Sequence, residues 1–180
     1  MLQGIFSLIV DTIAVVLGAV MLLRFWLQLI RVRPPASLAQ FLTQLSDWLV
    51  RPLRRVLPGF GGVDWATLVG AGLMALILVT VDLWMSATFS IGAALLLALL
   101  RLCQWVFYGF MATLIIDAVF SWVNPNAPFA PFMRAINEPL LQPLRRVIPL
   151  VGNVDLSPLA ALLLLQIGLR VITALLLTGL

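Results

Sequence analysis

Six ionisable side chains, Asp11, Arg24, Asp82, Arg101, Asp117 and Arg170, interrupt stretches that are otherwise apolar. At the centre of a bilayer such a charge costs at least about 2.5–3.5 kcal/mol on insertion scales, so each needs a partner or a purpose. Carboxylates in that setting can carry a proton or ion path, or can pair with arginine through charge-assisted, bidentate hydrogen bonds. The rest of the inventory excludes more than it offers. The 180 residues hold no His and a single Cys, Cys103. A His general base, a zinc site, a His-ligated haem and an intrachain disulfide therefore drop out together.

Enzyme chemistry has little left to work with. Intramembrane serine proteolysis would ordinarily use a His base. Gly61-Gly62-Val63-Asp64 has the wrong spacing for a membrane aspartyl protease, and Asp64 falls at an interface. Cys103 lies within an apolar span and reads as packed and inert. We expect no enzyme, no cofactor and no metal.

The setting of these charges follows from composition. With 63% apolar residues, 10% charged residues and a mean hydropathy of +1.14, the chain is far from the roughly 45–50% apolar and 25% charged of soluble domains. A soluble enzyme is excluded. Four apolar stretches can cross a hydrocarbon core of roughly 30 Å: about 5–30, 65–87, 95–123 and 156–180. A fifth crossing over 88–100 would be only thirteen residues, short of the roughly 17 needed. The polar connection 31–64 carries Arg31, Arg33, Arg51, Arg54 and Arg55, and 124–155 carries Arg134, Arg145 and Arg146. Positive charge stays on the cytoplasmic side, so both connections are expected in the cytoplasm and both termini outside, in a bacterial inner membrane.

The sequence also repeats itself. An offset of 91 places Leu49, Pro52-Leu53-Arg54-Arg55-Val56, Pro58, Gly61 and Val63-Asp64 on Leu140, Pro143-Leu144-Arg145-Arg146-Val147, Pro149, Gly152 and Val154-Asp155, without a gap. The protein reads as two units, 1–90 and 91–180, each span, connection, span. An even number of spans per unit makes the copies parallel, about an axis along the membrane normal. Leu38, Phe41, Leu42, Leu45, Trp48 and Leu49 follow helical spacing, with Gln40, Thr43, Gln44 and Asp47 opposite, as in a helix lying in the interface. Phe129, Phe132, Met133, Ile136 and Leu140 repeat the stripe, and Pro131 and Pro139 are expected to shorten it. Pro52 and Pro58 then bracket a short loop element, Gly61 permits positive φ, and Asp64, Asp155 and Ser157 stand where they could cap the following spans.

The twice-occurring P-x-R-R-x-x-P-x-x-G-x-x-D element, followed once by Asp155-Leu156-Ser157-Pro158 and preceded by Ser121-Trp122-Val123-Asn124-Pro125, resembles the YggT family in its two-repeat bacterial form. The first copy departs from that pattern, with Trp65-Ala66-Thr67 in place of Leu-Ser-Pro. The resemblance implies an inner-membrane protein without an established enzymatic activity. Bacterial relatives are associated with osmotic-stress tolerance, genes of the related YlmG proteins lie near cell-division genes, and chloroplast relatives act in cytochrome b haem attachment and nucleoid distribution. Together these imply scaffolding or assembly more than catalysis.

The register of the repeats brings each buried Asp within about 5 Å in depth of an Arg on the equivalent span. Helical phase, at about 100° per residue, prevents all three pairs from forming at once. We expect Asp82 with Arg170 and Asp11 with Arg101, leaving Arg24, near the depth of Asp117, to snorkel. Two readings of Arg54, Arg55, Arg145 and Arg146 stand side by side. They form a cytoplasmic basic patch for anionic lipid or an acidic partner, at about 1 kcal/mol per Arg, or they set topology and bond their own loop, Asp64 and Asp155 included. Nucleic acid is not expected, because four clustered arginines make a weak footprint. The functional expectation is a non-catalytic membrane scaffold or assembly factor, with a membrane protein or a second copy of the chain as candidate partners. The alternative is a small ion-permeation or osmotic-response protein using Asp11, Asp82 and Asp117.

Overall fold

The computed structural model describes residues 2–57, 59, 62–87, 89–148 and 155–178. They form six helices: α1 (Leu2–Leu29), α2 (Ala36–Val56), α3 (Trp65–Met85), α4 (Ile91–Val123), α5 (Ala130–Val147) and α6 (Ser157–Leu177). Helices α1, α3, α4 and α6 are long and apolar enough to cross a membrane, and α2 and α5 are amphipathic. This is the all-α, four-span architecture with an amphipathic helix in each repeat that the sequence predicts. The run after residue 88 is not a fifth crossing. It opens α4, which begins at Ile91 rather than near 95 and continues unbroken for 33 residues.

The prolines behave differently from expectation. Pro52 does not end α2, and α5 continues through both Pro139 and Pro143. A proline inside a helix removes a hydrogen bond and costs about 3 kcal/mol. Packing overrides that preference here. Val50, before Pro52, is fully buried, and Leu53, after it, packs against the first core; Leu141 and Leu144 pack into the second on either side of Pro143.

The contacts divide the chain into two compact units, residues 1–106 with 175–180, and residues 107–174. In the first, α1 and α3 meet along a seam of small residues. Ala14 and Met21 of α1 are buried with Ala66, Ala71, Met74, Ala75 and Leu78 of α3. Lipid tails are as apolar as leucine, so van der Waals contact at close approach, not hydrophobic exclusion, holds such helices together. Gly70 shows how close: a Cβ there would lie 3.0 Å from the Met21 sulfur. The second unit, at equivalent positions, carries bulk. Ala161 and Leu162 stand where α3 has Gly70 and Ala71, and the core is Leu114, Leu141, Ala161 and Leu165 with Phe107, Phe110 and Met111 against it.

Gly18 of α1 lies under the indole of Trp105, where a Cβ would come within 2.2 Å of the ring. A rigid ring cannot give way as a flexible chain end can. Gly18→Ala is therefore expected to cost about 1–3 kcal/mol by overpacking, seen as a lower thermal midpoint in detergent. Gly4→Ala, with nothing within 4 Å of the added carbon, should leave the midpoint unchanged or raise it. Equal midpoints for both variants would show that Trp105 is not seated on Gly18.

Candidate functional site: the arginine-carboxylate connections

Each polar connection is folded back on itself by an arginine and the aspartate ten residues later. Arg54 donates from Nε to Asp64 Oδ2 at 2.9 Å and again from Nη2. Arg145 donates from Nε to Asp155 Oδ2 at 2.9 Å and from Nη1 to Glu138 Oε2 at 2.9 Å. These clamps are the same contact in two copies, because the repeat offset carries Arg54 onto Arg145 and Asp64 onto Asp155. The second arginine of each pair is different. Arg55 and Arg146 are exposed, and among the described residues neither makes an ion pair. Beside them Val56 and Val147 are 77% and 80% exposed.

The caps diverge between copies. Asp64 occupies the N-cap position of α3, but its side chain bonds no helix amide and turns back to Arg54. Asp155 does both, since its Oδ1 accepts the backbone N–H of Ser157 at 2.9 Å. Ser157 is buried as the first residue of α6. Pro52 and Pro143 lie inside α2 and α5, whereas Pro58, Gly61, Pro149 and Gly152 lie outside the described residues.

The intramembrane charges are arranged unlike the expectation at Arg24. It does not snorkel. Its Nη1 donates to Asp47 Oδ1 at 2.7 Å and to Ser46 Oγ, both on α2. Asp47 also accepts from Arg51 Nε at 2.9 Å. The reason is the roll of α2. Its buried line is Leu42, Ser46 and Val50, so Asp47 borders α1, while Phe41 and Trp48 of the apolar stripe are 50% and 57% exposed. Aromatic side chains with a polar edge suit the headgroup region, and an arginine within a span needs a carboxylate more than the core needs a Trp.

The second repeat answers at the same place with a different polar group. Asn137 occupies the position of Ser46 and is fully buried. Its Nδ2 donates to the Thr113 carbonyl at 3.0 Å, and its Oδ1 accepts from Thr113 Oγ1 at 2.8 Å. Asp117, one turn along α4, is only 8% exposed. Sequence reasoning missed this pair of seats. The signal was present, as a polar residue at equivalent positions on the apolar faces of both amphipathic helices.

Among the described residues no ion pair joins Asp11 to Arg101. Arg101 lines a cavity of about 220 Å³ with Asp82 and Gln104. Asp82 belongs to the first unit and Arg170, on α6, to the second. Cys103 is partly buried in α4.

This twofold arrangement matches a known family. The CCB3/YggT family model aligns with residues 3–85 and again with 96–176, once per repeat. The chain belongs to the CCB3/YggT family. It is 33% identical over 167 residues to the uncharacterized protein YggT of Escherichia coli K12, covering 89% of this chain and 85% of that one. An uncharacterized protein of Pseudomonas aeruginosa is 37% identical over 169 residues, 88% of this chain and 83% of its own. A Vibrio alginolyticus protein described by its place in the proC 3′ region is 30% identical over 168 residues, 91% of this chain and 89% of its own. No solved structure matches the chain.

The connections of this YggT-family chain give it a defined acid response. Arg24's hydrogen bond holds the Asp47 carboxyl below its ordinary 3.8, against the upward push of burial. Burial also pushes Asp155 up, but hydrogen bonds from Ser157 and Arg145 outweigh it and leave this carboxyl below 3.8 as well. A carboxyl depressed in the folded state stabilises fully above its unfolded value and loses that contribution as pH falls through the folded one. The thermal midpoint should therefore be flat from pH 7 to about 4.5 and fall below 3.8. A midpoint unchanged at pH 3 would show that neither carboxylate is held by its arginine.

Proposed function

We propose that this protein is a non-catalytic scaffold or assembly factor of the bacterial inner membrane, with both polar connections in the cytoplasm and both termini outside. Its docking elements are Arg55 and Arg146, which hold an acidic protein partner or an anionic lipid surface. The observation that carries this reading is the division of labour within each Arg-Arg pair. Arg54 and Arg145 are occupied by Asp64 and Asp155, so the structural work of the connection is done without their neighbours. Arg55 and Arg146 remain exposed beside an exposed valine, a combination suited to a charged surface with an apolar layer beneath. Each arginine near an anionic membrane surface contributes about 1 kcal/mol, and their concentration in the two connections supports the cytoplasmic assignment.

The test compares wild type with Arg55→Gln/Arg146→Gln, purified in native lipid patches and surveyed by mass spectrometry for accompanying proteins and lipids. Both clamps stay intact in the variant, so folding should be unaffected. Loss of a defined acidic protein, or of anionic lipid, supports the docking role and identifies its ligand. An unchanged profile reduces the two arginines to topology signals.

A further inference from the structure

A second basic feature lies at the other end of α2 and uses different residues. A cavity of about 480 Å³ opens between the end of α1 and the first turns of α2, with Arg24, Gln28, Arg31, Arg33, Ala39 and Thr43 in its wall. Its volume is within the roughly 300–1,000 Å³ of small-ligand sites. Three lining residues are arginines and none is acidic. Arg24 is balanced by Asp47. Arg31 and Arg33 are exposed, and among the described residues neither makes an ion pair. Two arginines that make no ion pair among the described residues thus line one concavity.

The backbone around them is specialised. Helix α1 ends with Val32 N–H on the Leu27 carbonyl at 3.0 Å and Arg31 N–H on the Gln28 carbonyl at 3.2 Å, the Schellman arrangement that favours glycine at its left-handed position. Here that position is Arg31, with φ of 57°. Strain of this kind is kept where the surroundings hold it in place, and it clusters at ligand sites. Gln28, in the same wall, has a buried Oε1 that meets no donor. A ligand bringing an anion for the arginine forks would complete the cavity.

We propose that this groove is a phosphate site, made for a phosphate ester that keeps a net negative charge. Anionic glycerophospholipid headgroups and soluble phosphate esters share that chemistry. The reading does not depend on Arg55 or Arg146, and the two can fail separately.

The experiment measures binding of phosphatidylglycerol and phosphatidylcholine to the detergent-solubilised full chain by native mass spectrometry, and of glycerol 3-phosphate by calorimetry. Phosphatidylcholine has the phosphate but no net charge. Wild type should prefer phosphatidylglycerol, and Arg31→Gln/Arg33→Gln should weaken that binding by about thirty-fold, the factor two arginines imply. Ala39→Phe, which keeps every charge and fills the groove, should lose it. Binding of glycerol 3-phosphate with the same dependence on Arg31 and Arg33 supports the site and makes its ligand a soluble ester; binding of the lipid alone supports it as a headgroup site. The proposal is overturned if wild type binds both lipids equally and glycerol 3-phosphate not at all. It is also overturned if selectivity survives in both groove variants. Should the double variant not fold, Arg33→Gln alone, at an exposed position, replaces it.

Discussion

Asp47→Ala is expected to cost about 1.5–3 kcal/mol, the loss that follows when the charge-assisted bonds of a part-buried ion pair are removed and the other charge is left uncompensated. The side chains of Arg24 and Asp47 are 11% and 20% exposed, so the stranded Arg24 has little access to water. The reverse change is milder. Arg24→Leu leaves Asp47 with Arg51, whose side chain is 77% exposed and can follow the carboxylate outward. Changing both residues to Leu should recover much of the deficit, because the isolated charge disappears with its partner. Folded yield from membranes and the thermal midpoint in detergent would report all three variants. If Asp47→Ala falls within 1 kcal/mol of wild type, the pair is not what holds α2 to α1.

Asn137→Leu is the matching experiment in the second unit, with an expected cost of about 2–4 kcal/mol. A fully buried amide disappears, together with its bonds to the side chain and backbone of Thr113. Ser46→Ala, at the equivalent position, should cost only about 1 kcal/mol, because Arg24 keeps Asp47. Thermal midpoints for Asn137→Leu, Asn137→Ala and Ser46→Ala give the ranking. A Ser46→Ala penalty as large as that of Asn137→Leu would contradict the assignment of the Asn137 seat as the more demanding one.

The parts legible in the sequence are those that depend on run length or on comparison of the chain with itself. Spans follow from the length of apolar stretches, and the repeat offset alone pairs Arg54 with Arg145 and Asp64 with Asp155. The roll of α2 was not legible. The apolar spacing groups Phe41, Leu42 and Trp48 on one face, but it does not say which part of that face meets α1, and the partner of Arg24 depends on that roll. Local propensity failed at Pro52 and Pro143 for a related reason: buried neighbours on both sides outweigh the missing hydrogen bond. Nor does composition separate Arg54 from Arg55. Adjacent positions on a helix point about 100° apart, and only the returning chain decides which of them meets the aspartate.

The Arg24 contact has a consequence for biogenesis. Its carboxylate partner lies 23 residues downstream, so at about 5–20 residues per second the ribosome needs roughly one to five seconds to supply it. During that interval α1 enters the bilayer carrying a lone cation, and its guanidinium can only reach for headgroup phosphates. The first helix is thus inserted as a strained intermediate, and the arrival of α2 both neutralises it and fixes its depth. A translation pause that falls between the emergence of Arg24 and that of Asp47 from the ribosome would lengthen exposure of that intermediate to membrane proteases, whereas the same pause after both have emerged would not.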